Sequence, residues 1–207
     1  MSISLQHRRV HLASRSPRRR ELLAQIGVGF DTIAFRDAQR GDPELDETPL
    51  PGEEAAAYVE RVARNKASLG WRIVNWRGLL LQPVLAADTS IEIDGELIGK
   101  PLDADDAQRI LRRLSGRTHR VLTAVAVSFD GRTELLCSLS EVRFRELDDD
   151  EIARYVASGE AMDKAGAYGI QGRAAMFIEH LAGSYTGVMG LPLCETAQLL
   201  KRFGYPL

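Results

Sequence analysis

A chain of 207 residues with 44% hydrophobic and 27% charged residues has the make-up of a globular protein with room for one substantial core. Its formal net charge of -2 gives no global electrostatic reason to bind nucleic acid, so any anion site must be local. Cys137 and Cys194 form no C-x-x-C pair and share no metal-ligand spacing with His7, His11, His119 or His180, which argues against a disulfide scaffold and against structural zinc.

The first residues, with His7, Arg8 and Arg9 among them, hold no apolar signal core, and the apolar run from Leu79 breaks at Gln82-Pro83. A cytosolic protein without a membrane span is expected. Val10 to Ala13 reads as a first short strand. In the next stretch Ser16 is an N-cap, Pro17 suits the first helical position, Leu22, Leu23 and Ile26 form an apolar stripe, and Gly27 can end the helix. Arg18, Arg19 and Arg20 fall in its first turn, where exposed cations oppose the helix dipole at roughly 0.3–1 kcal/mol each. A bound anion reverses that sign, because free N–H groups and guanidinium forks then both point at it. Arg20 reads as a solvated charge; Arg18 and Arg19 beside Ser14 and Ser16 read as a phosphate cradle.

Phe35 to Gly52 is polar and rich in Asp, Glu and Pro, hence a loop, and Asp46-Glu47 within it can turn a carboxylate towards a metal. The periodicity then predicts a helix from about Glu53 to Leu69 with Val59, Val62 and Ala63 on one face. Lys66, four residues after Val62, continues that stripe, and a lysine there either snorkels at the edge or reaches a buried anion. Trp71 to Gln82 reads as a connector. Val84 to Ala87 is an apolar run without alternation, which predicts a short strand buried on both faces, with Asp88 at its mouth. A carboxylate held there by rigid backbone is placed to act as a general base or metal ligand. Ile91, Ile93 and Leu97 alternate about a hairpin turn at Asp94-Gly95, and Lys100 follows in the Gly99-Pro101 loop, so the hairpin brings a cation back towards Asp88.

Asp103 caps a helix whose stripe is Ala107, Ile110, Leu111 and Leu114 and whose stop is Ser115-Gly116. Val121 to Phe129 and Leu135 to Phe144 flank a turn at Asp130-Gly131 and read as long antiparallel strands. Asp148 and Glu151 form a capping box for a helix through Val156 that ends at Gly159, so the acidic run 148–151 serves the helix and not a metal. Asp163 to Gly172 carries three glycines around one Tyr and one Gln, which lets backbone approach a ligand closely. Ala174 to Ile178 reads as a last strand, Gly183 to Gly187 as a second Gly-rich loop, and Leu191-Pro192 as the opening of a terminal helix with Leu199, Leu200 and Phe203 inward.

In register, Ala13-Ser14-Arg15-Ser16-Pro17-Arg18-Arg19 with Glu21-Leu22-Leu23, the Asp46-Glu47 loop, Ala63 with Lys66-Ala67, and Ala87-Asp88-Thr89 resemble the Maf family of nucleoside triphosphate pyrophosphatases. Gly99-Lys100-Pro101, Leu114-Ser115-Gly116, Asp163 through Gly172, Gly183-Ser184-Tyr185 and Gly190-Leu191-Pro192-Leu193 follow in the family's order, so the resemblance runs from about residue 10 to residue 203. It implies a mixed α/β fold: one domain over 1–207 with an elongated mixed sheet, flanking helices and two lobes around a central cleft, similar to inosine triphosphate pyrophosphatases, with a possible homodimer. It also implies hydrolysis of a nucleoside triphosphate between the α and β phosphates with a divalent metal, Mg²⁺ or Mn²⁺. By the same resemblance Asp88 matches the general base and, with Glu47, the metal site, while Arg18, Arg19, Lys66 and Lys100 match phosphate-binding cations beside Ser14.

Arg18, Thr89 and Gln171 resemble the specificity positions of the subgroup acting on dTTP and UTP, not the one acting on 7-methyl-GTP. A primary amide such as that of Gln171 offers one donor and one acceptor, which matches N3–H and a neighbouring carbonyl of thymine or uracil. Residues 36–43 depart from the family pattern as an insertion; Ser90 and Thr186-Gly187 depart from it as substitutions. The readings to be weighed are a pyrimidine nucleotide pyrophosphatase, the same chemistry on a methylated purine nucleotide, and a nucleotide-binding regulator of cell division. A stable nucleic-acid complex is not expected.

Overall fold

A computed structural model describes residues 9–33, 35 and 45–207 of the chain. In chain order the elements are β1 (Arg9–Leu12), α1 (Pro17–Gln25), β2 (Gly29–Thr32), α2 (Ala55–Trp76), β3 (Val84–Ile93), β4 (Glu96–Ile98) and α3 (Ala104–Leu114). β5 (Thr118–Phe129), β6 (Arg132–Phe144), α4 (Asp149–Ala157), β7 (Ile178–Ala182), α5 (Tyr185–Val188) and α6 (Leu193–Arg202) complete them. The strands form one mixed sheet in the order β2-β1-β3-β5-β6-β7, with β4 also paired to β3. β1 runs parallel to both β2 and β3, and the remaining pairs are antiparallel. The fold is the mixed α/β arrangement expected. The insertion read at 36–43 lies outside the described residues.

The core divides by face and by end. α1 and α6 cover one face of the β1-β3-β5 half through Leu22, Leu23, Leu199 and Leu200 against Leu85, Ala87, Val125 and Val127. α2 covers the opposite face through Val59, Ala63, Ala67 and Ile73 against Val84, Ala86, Ala124 and Ala126. The residues on β3 alternate between these two layers, as the two-residue strand period requires. α3 and α4 close the far end over Ile91, Ile98, Val142 and Phe144.

Four elements differ from the sequence reading. α2 continues to Trp76, into the stretch read as a connector. Gly70, ordinarily a weak helix residue, is held in the helix by close packing: a Cβ there would lie 2.7 Å from Val84 Cγ1, and Ile73 and Val74 carry the buried stripe onward. β3 does not stop at Ala87 but runs through Asp88 to Ile93, so the acid is mid-strand. Finally, Arg173–Phe177 is a 3-10 turn that buries Ala174 and Phe177, and the strand after it, β7, begins at Ile178, with a register break opposite Arg143 and Phe144. β2, a four-residue edge strand, was not foreseen.

Candidate active site

What opens a cleft beside Asp88 is the unequal pairing of β3. β5 pairs with one edge of β3 from Val84 to Glu92. On the other edge β1 is paired only at Val84 and Leu85, and β4 only from Ile91 onward. Between them residues 86–90 face no strand. The chain leaving β1 turns there into the N-terminus of α1, and the chain leaving β4 brings Gly99 and Lys100, so the gap is walled by both. It forms part of a cleft of about 370 Å³.

Asp88 is buried and reaches the cleft on the α2 face. Lys66 resolves the ambiguity of its stripe by reaching that anion: its Nζ donates to Asp88 Oδ1 at 2.8 Å and lies 3.1 Å from Glu47 Oε1. Glu47 is fixed from α2, because the Tyr58 hydroxyl donates to the Glu47 carbonyl at 2.9 Å and Arg61 donates to the Thr48 carbonyl at 3.0 Å. Arg61 is itself paired with Glu53, whose carboxyl that hydrogen bond holds down at about 2. Burial pushes the Tyr58 phenol up to about 12, with Asp88 and Glu47 adding to the effect.

On the opposite face of β3, Arg19 is locked by neutral acceptors. Its Nε donates to the Gly190 carbonyl at 2.7 Å, Nη1 to Ser14 Oγ at 3.3 Å and Nη2 to Thr89 Oγ1 at 3.3 Å. Desolvation lowers its pKa from the ordinary arginine value; Asp88 and Glu47 oppose that shift and Arg18 reinforces it. Arg19 nonetheless lines the cleft and is only partly buried. The second Gly-rich loop explains this placement. Gly183 has φ +119° and would bring a Cβ within 2.9 Å of the Leu139 carbonyl; Ser184 Oγ accepts from Gly187 N, and the Gly187 carbonyl accepts from Thr123. The Thr123 and Thr89 hydroxyls lie 3.0 Å apart, so loop, strand and Arg19 form one connected set.

Ser16 caps α1, accepting from Arg19 N, and lines the cleft with Arg18, Arg19, Thr89 and Lys100. Ser14 stands behind them, bonding Ser16 N and Arg19. Arg18 and Lys100 make no hydrogen bond or ion pair with any described residue, whereas arginines such as Arg61, Arg113 and Arg145 are paired to carboxylates. Gln171 is exposed and is not among the cleft-lining residues; Gly169, two residues earlier, is. Tyr58, Asp163, Lys164 and Tyr168 line the cleft as well and were not singled out as site residues. The Asp163-Lys164 pair at the head of the Gly-rich segment was the available signal. Tyr58 had none, since an aromatic at a helical position reads as core.

Two carboxylates on one ammonium bracket a cation-sized position. Among the described residues no group of three or more His, Cys, Asp or Glu side chains gathers to hold a metal. As two hard oxygen donors on one ammonium, Asp88 and Glu47 could share a divalent cation whose other ligands came from water and phosphate, the habit of Mg²⁺.

No helix of the described residues is long and apolar enough to cross a membrane. The solved structure of the Staphylococcus aureus Ham1 protein aligns with 94% of this chain and 97% of its own at 15% identity and a TM-score of 0.47. A dTTP/UTP pyrophosphatase of Dechloromonas aromatica (strain RCB) is 67% identical over 197 residues, covering 95% of this chain and 98% of that protein. One of the same name from Aromatoleum aromaticum is 66% identical over 200 residues, 96% of this chain and 97% of its own. The profile of the Maf-like proteins matches residues 9–203, and with relatives this similar end to end the chain belongs to that family.

Proposed function

We propose that the protein hydrolyses dTTP and UTP between the α and β phosphates, releasing the nucleoside monophosphate and pyrophosphate. The observation that carries the reading is the set of cleft cations that pair with no described carboxylate: Arg18 and Lys100 make no hydrogen bond or ion pair with any described residue, and Arg19 bonds only neutral oxygens. Cations in a first helical turn make sense where a polyanion binds. The names of the relatives supply the substrates. In this reading Asp88, held by Lys66, takes a proton from water as its oxygen bonds to the α phosphorus. The bond from that phosphorus to the bridging oxygen breaks, and the pyrophosphate leaves under the charge of Arg18, Arg19, Lys66 and Lys100. Mg²⁺ or Mn²⁺ at Glu47 and Asp88 would neutralise phosphate charge. Thr89 and Arg18 border the cleft assigned to the nucleotide, and Gln171, exposed and outside the cleft lining, is assigned to the base by the family resemblance alone.

Activity is tested by incubating the protein with Mg²⁺ or Mn²⁺ and a panel of nucleoside triphosphates and separating the products. Monophosphate and pyrophosphate from dTTP and UTP, with little from GTP or 7-methyl-GTP, are expected. Diphosphate and orthophosphate would refute the cleavage site, and no turnover of any nucleotide would favour the binding-only regulator. Gln171→Glu is expected to lower dTTP turnover; unchanged selectivity removes that residue from base recognition.

A further inference from the structure

In the resting protein the position between the two metal-facing carboxylates is filled by a side chain. Lys66 Nζ lies 3.1 Å from Glu47 Oε1 and 2.8 Å from Asp88 Oδ1, so an ammonium stands where the same oxygens would hold a cation. Its stem rises from the buried face of α2 between Ala63 and Ala67, and the side chain is only 13% exposed. A lysine so enclosed leaves the carboxylates only if another anion receives its charge. The cleft as a whole adds to this. Among the described residues five cations line it against three carboxylates, so a bare divalent cation meets a net positive lining, whereas a metal carried on a polyphosphate brings its own negative charge. The phosphates are also the replacement partner that Lys66 needs.

We propose that Lys66 is a positioning residue that holds Glu47 and Asp88 in register and bars the free divalent cation, so that metal enters with the nucleotide phosphates, which draw the ammonium away. This rests on the pyrophosphatase reading but makes a separate claim, about the order of binding. The probe is Mn²⁺ alone, titrated into the full chain without nucleotide and followed by the electron paramagnetic resonance of the free ion. Lys66→Met is expected to bind Mn²⁺ at least about tenfold more tightly than the parent protein. Lys66→Arg, which keeps the charge, is expected to stay weak, and adding Glu47→Gln to Lys66→Met is expected to erase the gain. Because Lys66→Met leaves two carboxylates facing each other, Lys66→Gln is measured beside it, and the Mn²⁺-dependent rise in melting temperature is read for both. Equal affinity in the parent and both uncharged variants overturns the proposal. Turnover is not read in this titration, so a gain in Mn²⁺ affinity at Lys66→Met beside a parent protein that hydrolyses no nucleotide would refute the pyrophosphatase reading alone.

Discussion

Arg19 commits all three of its nitrogens to neutral oxygens, from Gly190, Ser14 and Thr89, and forms no ion pair with a described carboxylate. Arg19→Lys keeps the charge but cannot reproduce the three-way fork, so kcat/KM is expected to fall by about a hundredfold or more with the melting temperature little changed. Asp88→Asn is expected to remove turnover, by at least about a hundredfold, while nucleotide affinity persists. Residual activity near the parent level would show another base. Gly166 makes a different demand. It has φ +70°, its N–H donates to the Gly99 carbonyl at 2.9 Å, and a Cβ there would overlap Ile91 Cδ1. Gly166→Ala is expected to cost about 2 kcal/mol or more, and Ile91→Val, which removes that methyl, should make the double variant less destabilised than the sum of the singles. Lys66 was legible at this scale because the helical period placed it on the buried stripe. The role of Ser14 as a brace behind Arg19 was not, because Arg19 is also held by the Gly190 carbonyl far away in the chain.

Among elements, those whose ends carry their own chemistry could be read directly. Ser16-Pro17 opens α1, Asp103 caps α3 through Asp106 N, and Asp148 with Glu151 closes a capping box on α4. α2 was read too short because glycine weakens a helix locally, whereas the packing of Gly70 against Val84 is a tertiary fact. The mouth assigned to the end of β3 exists, but it is made by the end of β1, which no pattern within β3 records. α2 also carries the brace on the 45–53 loop. Tyr58→Phe removes the hydrogen bond to the Glu47 carbonyl and leaves the ring in place. A several-fold rise in the metal concentration needed for half-maximal rate, with the maximum rate little altered, is expected.

Across the whole molecule the sheet joins the cleft to a buried polar contact at its α3–α4 end. His119 Nε2 and the Tyr168 hydroxyl lie 2.8 Å apart, packed edge-on against Phe144, and burial lowers the imidazole from 6.5 to about 4. With the folded pKa below the unfolded one, the unfolded chain binds the extra proton between those values. Stability should therefore be full above about pH 6.5 and fall as the pH drops towards about 4, by on the order of 3 kcal/mol. His119→Gln is expected to flatten that slope in urea unfolding measured at stepped pH. Glu53 and Glu151, held at about 2 by Arg61 and Arg145, lose their favourable pairing only at lower pH, so the two windows separate. The unpaired edge of β3 bears on solubility. Leu85 O accepts from Ala13 N, so strand alternation turns the backbone N–H and C=O groups of Ala87 and Thr89 towards the same edge. An open row of such groups is ordinarily a template for strand addition and aggregation. Here β1 stops at one end and β4 begins at the other, leaving five residues, about 17 Å of strand. A foreign strand long enough to pair stably collides with both ends, so the protein keeps an unpaired sheet edge that a small ligand can enter and another polypeptide cannot.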